Sequence, residues 1–250
     1  MTVLTAALLL LAGVLAGAVG SAGGITSLVS YPALLLAGIP PLAANVANIV
    51  ALVACWPGSA LGSRPELRGR GSWLWPRALA AAAGGGAGAV LLLSTPPGAF
   101  TRVVPYLVAA GSLALLLQPR LTAWRERGSA RAGALLLPAG LVLVSAYNGY
   151  FGAGAGVMTL ALVLITAEPD LPVANALKNM LIGAGSVVAA GTFIVAGSVD
   201  WAAAAPLAAG MLAGAMIGPA ITRRVPAGVL RWAVALVGLG LAVRLWVDPG

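Results

Sequence analysis

The sequence predicts an all-α protein that crosses a membrane many times and consists of two homologous repeats. Hydrophobic residues make up 60% of the 250 residues and charged residues only 8%, whereas about a quarter of the residues of a soluble domain are charged. Apolar runs approach the ~20 residues that span a bilayer. A backbone in lipid must satisfy its own hydrogen bonds, so these runs predict transmembrane helices.

The first repeat is expected at residues 1–117, with a short apolar run inside it. This run follows a glycine break at Gly20–Gly24 and ends at Pro40 and Pro41, because proline cannot continue a helix and is favoured in the first turn of the next one. The glycine-rich run after residue 78 predicts a closely packed helix. The expected helical segments are 3–19, 25–37, 42–61, 78–93 and 103–117.

The second repeat is expected at residues 132–250, after a basic cytoplasmic linker at 118–131. Several residues of the first repeat have an identical residue about 130 positions later in the chain. Gly24 corresponds to Gly154, and Asn45 corresponds to Asn175. Such self-similarity at a fixed separation indicates a duplication. The expected segments are 132–146, 157–167, 173–195, 202–221 and 229–247. Together the repeats predict eight full spans and two short segments, 25–37 and 157–167, that cross the membrane or are re-entrant.

The arginine-rich loops predict the orientation, since short loops rich in Lys and Arg stay in the cytoplasm. If both short segments cross, each repeat has an odd number of segments, the second repeat is inverted, and Arg223 and Arg224 also lie inside. If the short segments turn back, the repeats are parallel and these two arginines lie outside. The charge pattern favours the inverted arrangement, which is common among secondary transporters. We expect a multi-pass membrane protein.

The polar residues exclude several classes of function. All six acidic residues lie at segment ends, and the chain has no histidine and one cysteine, Cys55. An intramembrane aspartyl protease needs paired acids and a rhomboid-type hydrolase needs histidine. We therefore expect no enzyme, metal or cofactor. The net charge of +8 lies in loops between apolar runs, so we expect a bilayer and no nucleic acid as partner. The oligomeric state stays open, a homo-oligomer included.

One lysine stands out as a candidate ligand for an anion. Lys178 enters the membrane beside amide side chains, and a charge at the centre of a spanning helix costs about 2.5 to 3.5 kcal/mol on insertion scales. It either binds a small anion together with these amides or reaches back to the interface near Glu168 and Asp170. The candidate amide donors are Asn45, Asn48, Asn175 and Asn179.

The two glycine breaks are the other candidate part of the site. Glycines let a ligand approach the backbone, and a helix that begins there presents its positive end to an anion. The alternative is close helix packing, which we expect for Gly84–Gly88 and Gly210–Gly218. Interrupted segments at equivalent places in both repeats favour binding. The candidate residues are Gly23, Gly24 and Ser27 in the first repeat and Asn148, Gly152, Gly154 and Gly156 in the second.

These breaks, the proline turns and the basic central loop resemble the TauE/SafE family of sulfite and organosulfonate exporters. The family's glycine motifs fall on Gly20, Gly23 and Gly24 and on Gly152, Gly154 and Gly156, while Asn45 and Asn175 stand where hydroxyl residues are frequent in the family. The resemblance implies a permease of the bacterial inner membrane for small sulfur-containing anions. We expect it to carry a small anion, sulfite or another sulfur oxyanion or organosulfonate, by alternating access around a site between the glycine breaks. A passive anion channel and a non-transporting membrane scaffold remain as alternatives. Trp56 and the other tryptophans near segment ends are expected at the lipid interface.

Overall fold

The computed structural model describes residues 2–123 and 130–224, together with residues 240 and 243. Every regular element within these residues is a helix. The helices are α1 Val3–Gly23, α2 Thr26–Leu36, α3 Pro41–Leu52, α4 Cys55–Gly62, α5 Arg64–Leu67, α6 Gly71–Leu93, α7 Pro97–Ala123, α8 Ala130–Tyr150, α9 Ala155–Thr166, α10 Leu171–Val195 and α11 Trp201–Thr222.

Five of the described helical stretches are long and apolar enough to cross a membrane, and α2 and α9 are shorter apolar helices. The all-α prediction is therefore confirmed over the described residues. The count of eight spans stays a prediction, and the expected last segment, 229–247, falls outside the described ranges. The five stretches are Val3–Gly23, Pro41–Gly62, Gly71–Leu93, Leu171–Val195 and Trp201–Ile221.

Several predicted boundaries differ from the structure. The helix expected at 103–117 extends from Pro97 to Ala123 and thus enters the linker expected at 118–131, and the helix expected at 132–146 extends from Ala130 to Tyr150. The polar loop expected to extend to Arg77 ends earlier, because α6 begins at Gly71. Arg77 can lie within a helix because its guanidinium stacks 4.2 Å from the ring centre of Trp73 and donates to the Trp73 carbonyl. The span expected as one helix at 42–61 is interrupted at Val53 and Ala54, between α3 and α4.

Glycines bring pairs of helices into backbone contact. On α1, Gly13 faces the carbonyl of Leu207 and Gly17 faces that of Met211, so α1 runs parallel to α11. On α6, Gly84 faces the carbonyl of Val142 and Gly88 faces that of Ala146. Thus α6 runs parallel to α8 in the same way. The close packing expected for the glycine-rich helices is confirmed, because a methyl group at these positions would collide with the neighbouring backbone.

Two ion pairs gather several helix ends on one face of the molecule. Arg223, just after α11, donates to Glu66 Oε1 from Nε at 2.9 Å and from Nη2 at 2.7 Å. Arg70, just before α6, pairs with Glu168, just before α10, at 2.8 Å. The ends of α4 and α11 therefore meet the starts of α6 and α10. We call this side, which also carries Arg64 and Arg68, the arginine-rich face.

The ion pairs also give the relative directions of the helices. Since α11 ends and α6 begins at the arginine-rich face, the two run in opposite directions. Because α1 is parallel to α11 and α8 is parallel to α6, α1 and α8 are antiparallel to each other. The first helices of the two halves of the chain thus run in opposite directions.

Candidate functional site

The two glycine breaks touch each other inside the molecule. A methyl group at Gly24 would lie 2.5 Å from the carbonyl carbon of Gly156, and one at Gly156 would lie 2.6 Å from the Cα of Gly24. Gly24 has φ +80° and Gly154 has φ +79°, a region that suits glycine and is costly for other residues. Glycine is thus required at the contact both for space and for backbone conformation.

Short helices begin at both breaks without a side-chain cap. The residues that precede α2 and α9, Ile25 and Gly154, make no capping hydrogen bond to the first turn. The first turn of a helix carries backbone N–H groups without partners inside the helix, together with the positive end of the helix dipole. Two such helix starts therefore lie together in the centre of the protein.

The carbonyls at the ends of α1 and α8, the helices that precede the two breaks, accept hydrogen bonds from asparagines in the other half of the chain. Asn175 of α10 donates to the Ser21 carbonyl at 2.7 Å, and Asn179 donates to the same oxygen at 3.0 Å. Reciprocally, Asn45 of α3 donates to the Tyr150 carbonyl at 2.8 Å. These amides thus satisfy buried backbone acceptors, a structural role that the sequence analysis did not predict for them.

Lys178 lies in the interior beside the first break. The side chain is 1% exposed, and its Nζ donates to the Gly20 carbonyl at 3.1 Å. Glu168 pairs instead with Arg70, and Asp170 caps the start of α10 through Val173 N. The structure therefore contradicts the alternative in which Lys178 reaches back to the interface beside these two carboxylates.

A cavity of about 30 Å³ lies against Lys178 and the two breaks. This exceeds the ~10–15 Å³ that one water molecule needs. Among the described residues of its wall, Lys178 is the one with an ionisable basic group, and the other polar side chains there carry hydroxyls, amides, one thiol and one indole N–H. The wall consists of Gly20, Ser21, Gly24, Thr26, Ser27, Leu52, Cys55, Trp56, Ser59, Asn148, Gly152, Gly156, Lys178, Asn179, Ile182 and Gly183.

The structure brings seven of the twelve predicted site residues to this wall. These are Gly24, Ser27, Asn148, Gly152, Gly156, Lys178 and Asn179. The other five surround it without lining it: Asn45 and Asn175 cap carbonyls, Gly23 and Gly154 belong to the breaks, and Asn48 lies behind Ser27.

Two further asparagines, Asn48 and Asn148, form hydrogen bonds with neighbouring side chains. Asn48 donates to Ser27 Oγ at 3.0 Å and accepts from Ser30 at 2.5 Å. Asn148 donates to Ser186 Oγ at 3.0 Å. Because a primary amide has two N–H donors, Asn148 and Asn179 each have a second donor besides the bond described.

The sequence analysis missed the contribution of the interrupted span. Leu52, Cys55, Trp56 and Ser59 all line the cavity. The expected interfacial role of Trp56 needs correction, because its indole packs on Gly183 and lines the cavity while remaining 39% exposed on its other side. The helical spacing of Asn48, Leu52, Cys55 and Ser59 was the signal that could have placed these residues on one face.

An apolar groove lies on the other side of Trp56. It has a volume of about 850 Å³ and is lined by α3, α4, α10 and α11, with Trp201 near one end. Trp56 belongs to the walls of both the groove and the polar cavity. Its side chain therefore separates the two spaces.

Aromatic side chains fill the space beyond the breaks. Phe151 packs edge-on against Tyr31 with ring centres 5.3 Å apart, and Phe100 lies 6.2 Å from Phe151. Phe100 also lies 6.0 Å from Tyr150. Phe100 is near the start of α7 and Phe151 follows the end of α8, so this cluster lies on the side away from the arginine-rich face.

Long apolar helices around an enclosed polar cavity are typical of multi-pass membrane transporters. The chain belongs to one such family: the sequence model described as "Sulfite exporter TauE/SafE" matches residues 6–245. The resemblance seen in the sequence is thereby confirmed, and the family is one of transporters rather than of enzymes.

Two relatives agree with this membership. A "Probable membrane transporter protein ORF9" of Sinorhizobium sp is 28% identical over 97% of this chain and 93% of its own length. A "Probable membrane transporter protein" of Haemophilus influenzae is 26% identical over 98% of this chain and 95% of its own length. No solved structure matches the chain.

Proposed function

We propose that the protein carries a small anion, sulfite or another sulfur oxyanion or organosulfonate, across the bacterial inner membrane. The observation that carries this proposal is the buried ammonium of Lys178 at the wall of an enclosed cavity. Burying a charge without a partner is costly. An anion in the cavity provides the missing countercharge.

The remaining features of the cavity suit an anion as well. Hydroxyls of Thr26, Ser27 and Ser59 and the amide of Asn179 can donate hydrogen bonds, and the start of α2 adds backbone N–H groups. The described acidic side chains are all engaged at loops or helix starts, away from the cavity. The site thus attracts negative charge and contains no competing carboxylate.

A carrier mechanism fits the position of the cavity better than an open pore. Ser59 is three residues from the end of α4 at the arginine-rich face, so the cavity lies nearer to that face. The aromatic cluster of Tyr31, Phe100, Tyr150 and Phe151 blocks the path to the opposite face. Alternating access requires such closure on one side at a time. We assign the arginine-rich face to the cytoplasm by its positive charge.

The two repeats are proposed to be inverted, which supplies the symmetry for alternating access. Supporting this, α1 and α8 run in opposite directions and Asn45 and Asn175 make reciprocal contacts across the breaks. Pro40 and Pro169, at equivalent turns of the two repeats, are both exposed and should lie on opposite faces.

Labelling from either side of the membrane tests this arrangement. In a Cys55→Ser background, Pro169→Cys should react with a membrane-impermeant maleimide from the cytoplasmic side and Pro40→Cys from the other. Labelling of both positions from the same side would refute the inverted arrangement.

The single cysteine of the chain provides a direct test of the anion site. Cys55 lines the cavity, so an anion bound there should slow its reaction with a small methanethiosulfonate reagent. Purified protein in a gluconate buffer should be protected by methanesulfonate, which, unlike sulfite, does not cleave the reagent, and transport of the protective anion into proteoliposomes should saturate. If no sulfur anion protects Cys55 and none is transported, the result would favour the hypothesis of a non-transporting membrane scaffold. Single-channel currents would instead identify a pore.

A further inference from the structure

We infer that the cavity selects anions that carry a single negative charge, so that the transported species is a monoanion such as hydrogensulfite or a sulfonate. This inference rests on the proposed anion transport and concerns the charge state of the substrate. The observation behind it is that, among the described residues that line the cavity, Lys178 is the one that can carry a positive charge.

The helix dipoles at the breaks do not add a second positive charge. The starts of α2 and α9 contribute their positive ends, but α1 and α8 end at the same two breaks with their negative ends. Each helix end is equivalent to roughly half an elementary charge, so the opposing ends largely cancel. The carbonyls of Gly20, Ser21 and Tyr150 at these ends accept hydrogen bonds from Lys178, Asn175 and Asn45. The largest positive charge that the described lining residues can supply is therefore that of one protonated lysine.

The balance of desolvation and attraction then favours a monoanion. The cost of moving an ion from water into a medium of low dielectric rises with the square of its charge, whereas its attraction to Lys178 rises only in proportion to its charge. A monoanion forms a neutral pair with the ammonium. A dianion leaves one negative charge uncompensated in the membrane interior, where the polar wall offers only neutral donors.

Methanesulfonate and sulfate form a matched pair for the test, because both are tetrahedral and of similar size but carry one and two negative charges. Protection of Cys55 from the methanethiosulfonate reagent would be titrated with each anion in gluconate buffer at equal ionic strength. Sulfamate, another tetrahedral monoanion, serves as a second member of the first class. We expect methanesulfonate and sulfamate to bind at least about tenfold more tightly than sulfate, a difference of about 1.4 kcal/mol.

A variant with a second cation provides an independent check. Asn179 lines the cavity, and Asn179→Lys would add an ammonium beside Lys178. The preference for methanesulfonate over sulfate should shrink or reverse in this variant. If it does not fold, the comparison of the two anions on the unmodified protein still decides the matter.

The outcomes separate this inference from the proposed function. Sulfate binding as tightly as methanesulfonate, or more tightly, overturns the selection of monoanions while leaving an anion site in place. Protection by neither class of anion overturns both proposals together. Protection by monoanions alone supports both.

Discussion

The ammonium of Lys178 in α10 donates a hydrogen bond to the carbonyl oxygen of Gly20 at the end of α1, 3.1 Å away. The two residues are 158 positions apart in the chain and come from different halves of it. The end of a helix carries partial negative charge, so this contact holds the ammonium at the cavity wall. A lysine has three N–H donors, and the Gly20 carbonyl engages one of them.

Replacing Lys178 should remove anion binding without unfolding the protein. Charge-assisted hydrogen bonds contribute about 1.5 to 3 kcal/mol, so Lys178→Gln should weaken anion protection of Cys55 by at least about tenfold and transport accordingly. Because the substitution also removes a buried charge, the melting temperature measured without anion should not fall. Arg224→Gln, at an exposed position on the arginine-rich face, is the matched control and should transport normally. Normal transport by the Lys178 variant would refute the assigned role.

The contact between the two breaks predicts an unequal effect of two similar glycine substitutions. Gly24 and Gly38 have φ values of +80° and +82°, so alanine costs about 1 to 2 kcal/mol of backbone strain at either position. Only Gly24→Ala also collides with the carbonyl carbon of Gly156, because nothing lies within 4 Å of a methyl group at Gly38. We expect Gly24→Ala to abolish transport and Gly38→Ala to retain most of it, as measured in proteoliposomes at equal protein amounts. Equal, mild effects would count against a tight contact.

The asparagine caps predict a difference between two amides that look alike in sequence. Asn45→Ala removes the amide that caps the partly buried Tyr150 carbonyl, which should cost about 1 kcal/mol or more. Asn179→Ala should cost less, because Asn175 still donates to the Ser21 carbonyl. Melting temperatures of the purified variants compare the two. A larger loss for Asn179→Ala would contradict the capping arrangement.

Trp56 should limit the length of the substrate. Since its side chain separates the polar cavity from the apolar groove, unmodified protein should bind methanesulfonate better than butanesulfonate. Trp56→Ala should join the two spaces and let an alkyl tail enter the groove, where each buried methylene contributes about 0.8 kcal/mol, or about fourfold in affinity. Trp201→Ala alters the groove but not the cavity and should leave the preference unchanged. An unchanged preference in Trp56→Ala would show that another element closes the cavity.

Local sequence rules predicted most of the helices because lipid leaves the backbone few alternatives. The apolar runs, the prolines at 40 and 41 and the glycine breaks each act within a few residues, so α1, α2 and α9 were expected close to where they occur. The interruption of the long span at Val53 and Ala54 also has a local cause that the sequence analysis overlooked. Pro57 lacks the N–H that would bond the Val53 carbonyl, and its ring clashes with that carbonyl.

The site was predicted in part, for a related reason. The composition of the sequence singled out Lys178 and the paired glycine breaks, since a charge and repeated interruptions are rare in apolar helices. The sequence could not predict the partners of the amide side chains. Asn45 and Asn175 can donate hydrogen bonds in any environment, and whether they bind a ligand or a backbone carbonyl depends on which groups pack beside them. Trp56 gave no sign of the cavity, and the only signal at Cys55 and Ser59 was their helical spacing from Asn48 and Leu52.

The sequence alone determined the class of the protein and the chemistry available to it, because hydropathy, proline and glycine act through short-range physics. Only the tertiary structure decided that the breaks touch at Gly24 and Gly156 and that Lys178 is buried against Gly20. These contacts join residues more than 100 positions apart, and their geometry depends on how α1 packs on α11 and α8 on α6. The packing of whole helices thus set which of the polar residues face the cavity.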